Sequence, residues 1–156
     1  MMMEKKKLEH SVHWGELVVP RVWSYNFHHD LNRLESLFFD LEWEPGKIHR
    51  CKDMRDPLSI DEYPELAEIL PADDVEGFYA WKEYDDALEY AIDTETYLNY
   101  QKIMVIGWIE MFGNVYEHAK AYRGEYATVR NLVTIFPNTV KFRPILRKLK
   151  LLYDRA

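Results

Sequence analysis

Lys102 to Phe136, KIMVIGWIEMFGNVYEHAKAYRGEYATVRNLVTIF, constrains the fold more than any other stretch. It joins the longest apolar run to the densest group of ionisable side chains. Ile103 to Ile106, Trp108, Ile109, Met111 and Phe112 are rich in branched and aromatic side chains, broken only by Gly107 and Glu110. Such a run suits a strand covered on both faces, inside a sheet. Gly113 followed by Asn114 permits a bulge or sharp bend, after which Val115 to His118 resumes as strand. Ala119 to Gly124 reads as a turn, and Tyr126 to Phe136 as a returning strand stopped by Pro137. Glu117, His118, Arg123 and Glu125 then fall on or beside one connection, held by the sheet yet near solvent, which makes that connection the candidate site.

The flanking chain supplies the partners of this hairpin. Leu17 to Phe27 suits a strand that Pro20 confines to an edge or delays until Arg21. Leu34, Leu37, Phe38 and Leu41 fit helical spacing, while LESLFF fits a strand equally well, so Arg33 to Trp43 stays open. Trp43 to Gly46 carries a turn signal before a short strand within Lys47 to Lys52. Phe78 to Trp81 reads as a short strand, and Asp85 as the N-cap of a helix reaching Asp93 with Ala87, Leu88, Ala91 and Ile92 inward. Pro144 suits the first turn of a C-terminal helix, Arg143 to Asp154, whose apolar face is Phe142, Ile145, Leu146, Leu149, Leu152 and Tyr153. The expectation is one α+β domain spanning residues 1–156. It is mainly antiparallel sheet with two or three packed helices, including the amphipathic C-terminal one.

Composition narrows the class. A chain of 156 residues with 47% hydrophobic content supports one core. The mean hydropathy of −0.43, the absence of a long apolar run and the opening MMMEKKKLEH argue for a cytoplasmic protein with no membrane partner. Cys51 is the single cysteine, which excludes an internal disulfide and fits a reducing compartment. Residues 1–10 read as disordered, and 53–76 as an acidic connection interrupted by Pro57, Pro64 and Pro71, with a short helix possible over Ile60 to Leu70. Charge is uneven: Asp53 to Tyr97 carries fifteen acids against two bases, whereas Lys120 to Ala156 carries nine bases against two acids. The two blocks either neutralise each other or form separate solvated faces. Alternatively, the acidic middle presents a phosphate-like surface to a protein that normally binds nucleic acid. With a net charge of −7, direct nucleic-acid binding is not expected.

Separated motifs form a wider pattern: Trp43, Pro45 and Gly46, then Cys51, then Gly77, Tyr79, Ala80, Lys82, Ala87 and Ala91, then Gly107, Gly113, Val115, Glu117, His118, Tyr122, Arg123, Glu125, Tyr126 and Ala127. In this order they resemble a family of small uncharacterised bacterial and phage domains with W-x-P-G, G-[FIL]-Y-A-x-K and G-x-V-x-E-H-x-x-x-Y-R-x-E-Y-A motifs. The resemblance spans roughly Arg21 to Phe136 and implies the strand alternative for Leu34 to Phe39. Where members carry a Cys and His cluster before the G-[FIL]-Y segment, this chain has Ala72, Asp73, Asp74, Val75 and Glu76. It therefore implies no metal site here.

Two functional readings follow. The first is a non-enzymatic accessory or inhibitory protein, phage-borne by resemblance, that docks on a partner macromolecule through Asp73, Asp74, Glu76, Asp85 and Asp86. The second is a site for a nucleotide or another anionic metabolite around Tyr79, Lys82, Glu117, His118, Tyr122 and Arg123. There Arg123 would anchor the anion, Glu117 or His118 would serve as acid or base, and an aromatic slot beside Arg123 would stack a base. Against it stands a structural ion pair of Arg123 with Glu117 or Glu125. His10, His13, His28, His29 and Asp30 lack a recognised zinc spacing, and no phosphate loop or nucleophile elbow is present, so no cofactor is expected.

Overall fold

The computed structural model describes residues 6–7, 12–25, 34–35, 42–51, 77–97 and 103–155. In chain order these form β1 (Lys6–Lys7), β2 (Val12–Tyr25), β3 (Leu34–Glu35), β4 (Glu42–Trp43), β5 (His49–Arg50) and β6 (Phe78–Trp81). There follow α1 (Tyr84–Tyr97), β7 (Ile103–Glu117), β8 (Ala121–Phe136) and α2 (Arg143–Tyr153). The architecture is α+β, an eight-stranded antiparallel sheet carrying two helices among the described residues. The apolar run expected to lie inside the sheet is β7, paired with β2 along one edge and β8 along the other.

Strand order is β4-β3-β2-β7-β8-β5, with β1 added to β7 and β6 to β8. A flat sheet of six strands would hold its outer strands about 24 Å apart. Yet β4 and β5 are consecutive in the chain, and the six steps from Trp43 to His49 reach at most about 20 Å. The sheet therefore curls until its ends meet at the 44–48 turn, where Lys47 N–H donates to the Glu44 carbonyl at 3.3 Å. The Trp43 and His49 rings come within 4.9 Å. Gly46 serves this turn with a φ of +72°, a conformation that disfavours side chains.

Period-2 alternation sends side chains to two cores. Val19, Trp23 and Tyr25 of β2 join Val105, Ile109 and Met111 of β7 on one face, together with Trp43, Phe78 and α2's Leu149 and Tyr153. Val22, Met104 and Ile106 occupy the other face, where Ala87 and Ala91 let α1 approach closely. The two helices thus cover opposite faces of the sheet. Beyond α2, Asp154 leaves helical geometry and the chain turns along the part of β8 that β5 and β6 do not reach. Leu132 N–H donates to Asp154 Oδ1 at 2.7 Å, and Arg155 N–H to the Arg130 carbonyl at 3.0 Å. This satisfies an edge that would otherwise be a template for pairing.

Several boundaries differ from the sequence reading. β2 begins at Val12, five residues early, and Pro20 lies within it opposite Trp108; its missing N–H is tolerated because β3 meets β2 at Ser24, further along. β8 begins at Ala121, so the expected turn over Ala119 to Gly124 shrinks to residues 118–120. β6 supplies the second pairing edge for Ala121 to Gly124, and Gly124 leaves space that Met111 fills. The helix expected over Asp85 to Asp93 starts at Tyr84 and ends at Tyr97, placing Asp85 in its first turn, not at its cap. Lys6 and Lys7, expected in a disordered terminus, pair with Glu117 and Tyr116. Leu34–Glu35 is strand, as the resemblance implied, while the rest of residues 36–41 and the 53–76 connection lie outside the described residues. The bulge expected at Gly113 is present, with a φ of +80° and a register shift between Phe112 and Val115.

α2 is fastened to the closing strands by one hydroxyl. Tyr153 OH accepts from Leu34 N–H at 2.8 Å and donates to the Trp43 carbonyl, both fully buried. Tyr153→Phe removes both bonds while keeping the ring, so urea unfolding should show a loss of about 2–4 kcal/mol at unchanged m. A loss under about 1 kcal/mol would mean the hydroxyl contributes no more than an ordinary hydrogen bond. Gly107→Ala should cost about 2–3 kcal/mol by the same measurement, because a Cβ there would lie 2.4 Å from the Asn131 carbonyl oxygen of the neighbouring strand.

Candidate functional site

The six residues expected to form a small-molecule site gather at the β7–β8 hairpin, where β6 adds a third strand. Cross-strand register aligns Glu117 with Tyr122 and Ala80, and Tyr116 with Arg123 and Tyr79. His118 N–H donates to the Ala121 carbonyl at 2.8 Å and closes the connection. Within this cluster the residues separate by burial. Lys82, Glu117 and Tyr122 stay partly accessible, whereas Tyr79, His118 and Arg123 are buried, each 2% exposed or less.

The accessible three form a closed network. Lys82 Nζ lies 3.2 Å from Glu117 Oε2, and Tyr122 OH donates to the same oxygen at 3.3 Å. Burial raises the Tyr122 phenol above its ordinary range, and the Glu117 charge and hydrogen bond push the same way. Lys82 Nζ also sits 5.2 Å from the Tyr122 ring centroid. The carboxylate is thus neutralised by its own neighbours.

Arg123 is a strand residue rather than part of a turn, and its burial removes it from the near-solvent position expected of it. Its guanidinium lies 4.8 Å from the Tyr116 ring centroid. Its stem passes beneath Gly77, where a Cβ would come 2.5 Å from Arg123 Cγ and where φ is +124°. The glycine opening GFYA and the arginine of the YRGEY segment are therefore one packing unit. Glu117 takes Lys82 instead of Arg123. Glu125 takes Arg50, with Nε to Oε2 at 3.5 Å, while its Oε1 accepts from Asn114 N–H and Nδ2 at 3.2 Å each.

Sequence reasoning missed a buried cation–aromatic contact. Arg21, fully buried on β2, holds its guanidinium 4.3 Å from the Trp43 centroid and 4.4 Å from that of Tyr79, and Nη1 donates to the Tyr79 carbonyl at 3.0 Å. This contact joins β2 to β6 across the curled sheet. The signal available was an arginine inside the apolar run LVVPRVW, which periodicity sends to the same side as Trp23. The rings expected to form an aromatic slot beside Arg123 each carry a cation of the protein on one face. One face of Tyr79 is taken by Arg21, one of Tyr116 by Arg123 and one of Tyr122 by Lys82.

The remaining candidates fall elsewhere. Asp85 is exposed and Asp86 half-buried in the first turn of α1, while Asp73, Asp74 and Glu76 lie outside the described residues. His13 is exposed on β2, and His10, His28, His29 and Asp30 are outside the described set. Among the described residues no group of three His, Cys, Asp or Glu converges as a metal site would require, and no helix is long and apolar enough to cross a membrane. Cys51 is buried and its N–H donates to the Glu125 carbonyl at 2.8 Å, an environment of a packed thiol. No known protein family, curated protein or solved structure matches the chain.

His49 gives the described site its clearest titration. It packs between Trp43 and Phe78, only 7% exposed, and its Nε2 has no hydrogen-bond partner among the described residues. Burial, helped by the charges of Lys47 and Arg21 and opposed by Glu44, lowers its pKa from 6.5 to about 4. The unfolded chain therefore takes up a proton between those values that the folded chain refuses. Stability falls as pH drops through this window, and the loss is complete near pH 4. The His49 share is at most about 3 kcal/mol. His49→Phe should flatten that part of the profile, read as the difference between wild-type and variant unfolding free energies at successive pH values. A difference that does not change between pH 7 and pH 4 would contradict this.

Proposed function

We propose that this protein works by binding rather than turnover, as an accessory or inhibitory protein that docks on a basic surface of another protein. The observation that supports the reading is the outer face of α1. Asp85, Glu89 and Asp93 are exposed at spacings of one and two turns, with Glu83 just before the helix and Ile92, 39% exposed, among them. None of these four acids forms an ion pair among the described residues. The basic helix α2 covers the opposite face of the sheet, so the two charge blocks do not cancel through their helices. An unneutralised acidic face on a folded element steers and orients a cationic partner. It also carries the acidic-segment reading onto residues whose positions are known, with Asp73, Asp74 and Glu76 as its extension in the chain.

The hairpin cluster supports the same choice. Its accessible carboxylate is neutralised, and one face of each of its tyrosines carries one of the protein's own cations, which leaves the anionic-metabolite reading with less geometric support.

Asp85→Asn, Glu89→Gln and Asp93→Asn combined should abolish capture of a basic protein partner from a bacterial lysate and leave the melting temperature within a few degrees of wild type. Raising salt from about 0.1 M to about 1 M, which shortens the screening length from about 10 to about 3 Å, should have the same effect. Capture unchanged by both treatments would remove the acidic-face mechanism. Stabilisation of the protein by a nucleotide, lost in Lys82→Met, would favour the metabolite site instead.

A further inference from the structure

α2 turns a charged face outward, opposite in sign to that of α1. From Asn138 to Tyr153 the chain contains no acid but five bases, Lys141, Arg143, Arg147, Lys148 and Lys150. Near its end a cleft of about 560 Å³ is lined by Arg147, Lys150, Leu151, Asp154 and Arg155. Leu151 is 88% exposed at this cleft, a large apolar side chain standing in water. Lys150 is engaged by Asp154 at 2.7 Å and by the Leu132 carbonyl, and Arg155 by Glu110. Arg147 has no ion-pair partner among the described residues, and Arg143 bonds Asn138 through Nε at 3.3 Å. The cleft thus offers one exposed apolar side chain, Leu151, among side chains of net positive charge.

We infer that this cleft receives the α1 face of a second copy of the chain. The two faces match in character: Ile92 beside Glu89 and Asp93 on one, Leu151 beside Arg147, with Arg143 one turn before it, on the other. They also match in length, since Asp85 to Asp93 and Arg143 to Leu151 each span nine residues, about 12 Å of helix from first to last. Because the two helices cover opposite faces of the sheet, the contact is head-to-tail. Each copy keeps one acidic and one basic face free for the next, so association grows as a ring or a chain rather than stopping at a two-fold dimer. The inference rests on the reading of α1 as a docking face, and it names a basic surface which that face recognises. Self-association and capture of another protein then compete for α1.

Two charge-reversed forms of the full chain test this, Glu89→Lys with Asp93→Lys and Arg143→Glu with Arg147→Glu. All four positions are exposed, and a new acid at 143 suits the N-terminal turn of α2. In sedimentation velocity at about 0.1 M salt, wild-type protein should exceed monomer mass increasingly with concentration and return to monomer near 1 M salt. Each reversed form alone should stay monomeric, and an equimolar mixture of the two should regain the wild-type association, since each supplies the sign the other lost. Wild-type protein that is monomeric at every concentration would overturn the inference, as would association that either reversal leaves intact or that mixing does not restore. Monomeric wild type that binds anionic vesicles or single-stranded DNA through Arg143 and Arg147 would also overturn it, assigning the basic face to that polyanion. Monomeric wild type that still captures a lysate protein through α1 would sink self-association alone and leave the proposed function standing.

Discussion

Closure of the sheet is the constraint on which the rest of the structure depends. The turn at 44–48 is too short to connect the outer strands of a flat sheet, so the strands must coil, and coiling creates an interior lined from both ends of the strand order. That interior holds Trp23, Trp43 and Phe78 in edge-on contacts of 5.4 to 5.7 Å. Arg21 can be buried there because the Trp43 and Tyr79 rings and a backbone carbonyl replace part of the water it loses. An arginine left in such a position without those contacts would oppose closure. With them, it ties β2 to β6, two strands that do not pair with each other.

The helices seal what the strands leave open, and they do so with different chemistry. α1 uses alanines to lie close over Val22, Met104 and Ile106, and Asp85, Glu89 and Asp93 are left on the outside. α2 seals the other side with Leu149 and Tyr153, and its C-terminal turn then covers the free edge of β8 through Asp154 and Arg155. Because each helix exposes one sign of charge, the molecule is electrically polarised across the sheet. Net charge alone conceals this, as −7 describes neither face. At the hairpin, Lys82, Glu117 and Tyr122 hold β6 against the β7–β8 end.

Much of the fold was legible in sequence. The apolar run from Ile103 to Phe112, the Gly113 bulge, the Phe78 to Trp81 strand and the C-terminal amphipathic helix are local signals, set by side-chain shape, backbone freedom and periodicity within a few residues. The strand that became β8 was read short because a turn composition, AKAYRGEYA, competed with pairing to β6, which lies about forty residues away in the chain. The candidate site was legible as a cluster and not as an environment. Glu117, Tyr122 and Lys82 do meet, as their motifs suggested, but whether a given polar side chain faces water or core depends on which strand covers it.

By itself, then, the sequence determined the class: a mainly antiparallel sheet built on one apolar strand, with two or three packed helices, the last of them amphipathic. Periodicity and composition carry that information residue by residue. Only the tertiary structure decided that the sheet coils, that Arg21 and Arg123 are buried against aromatic rings, and that the two helices cover opposite faces. Each of these depends on contacts between segments far apart in the chain, where the cost of burying a charge is offset by partners that no local pattern identifies.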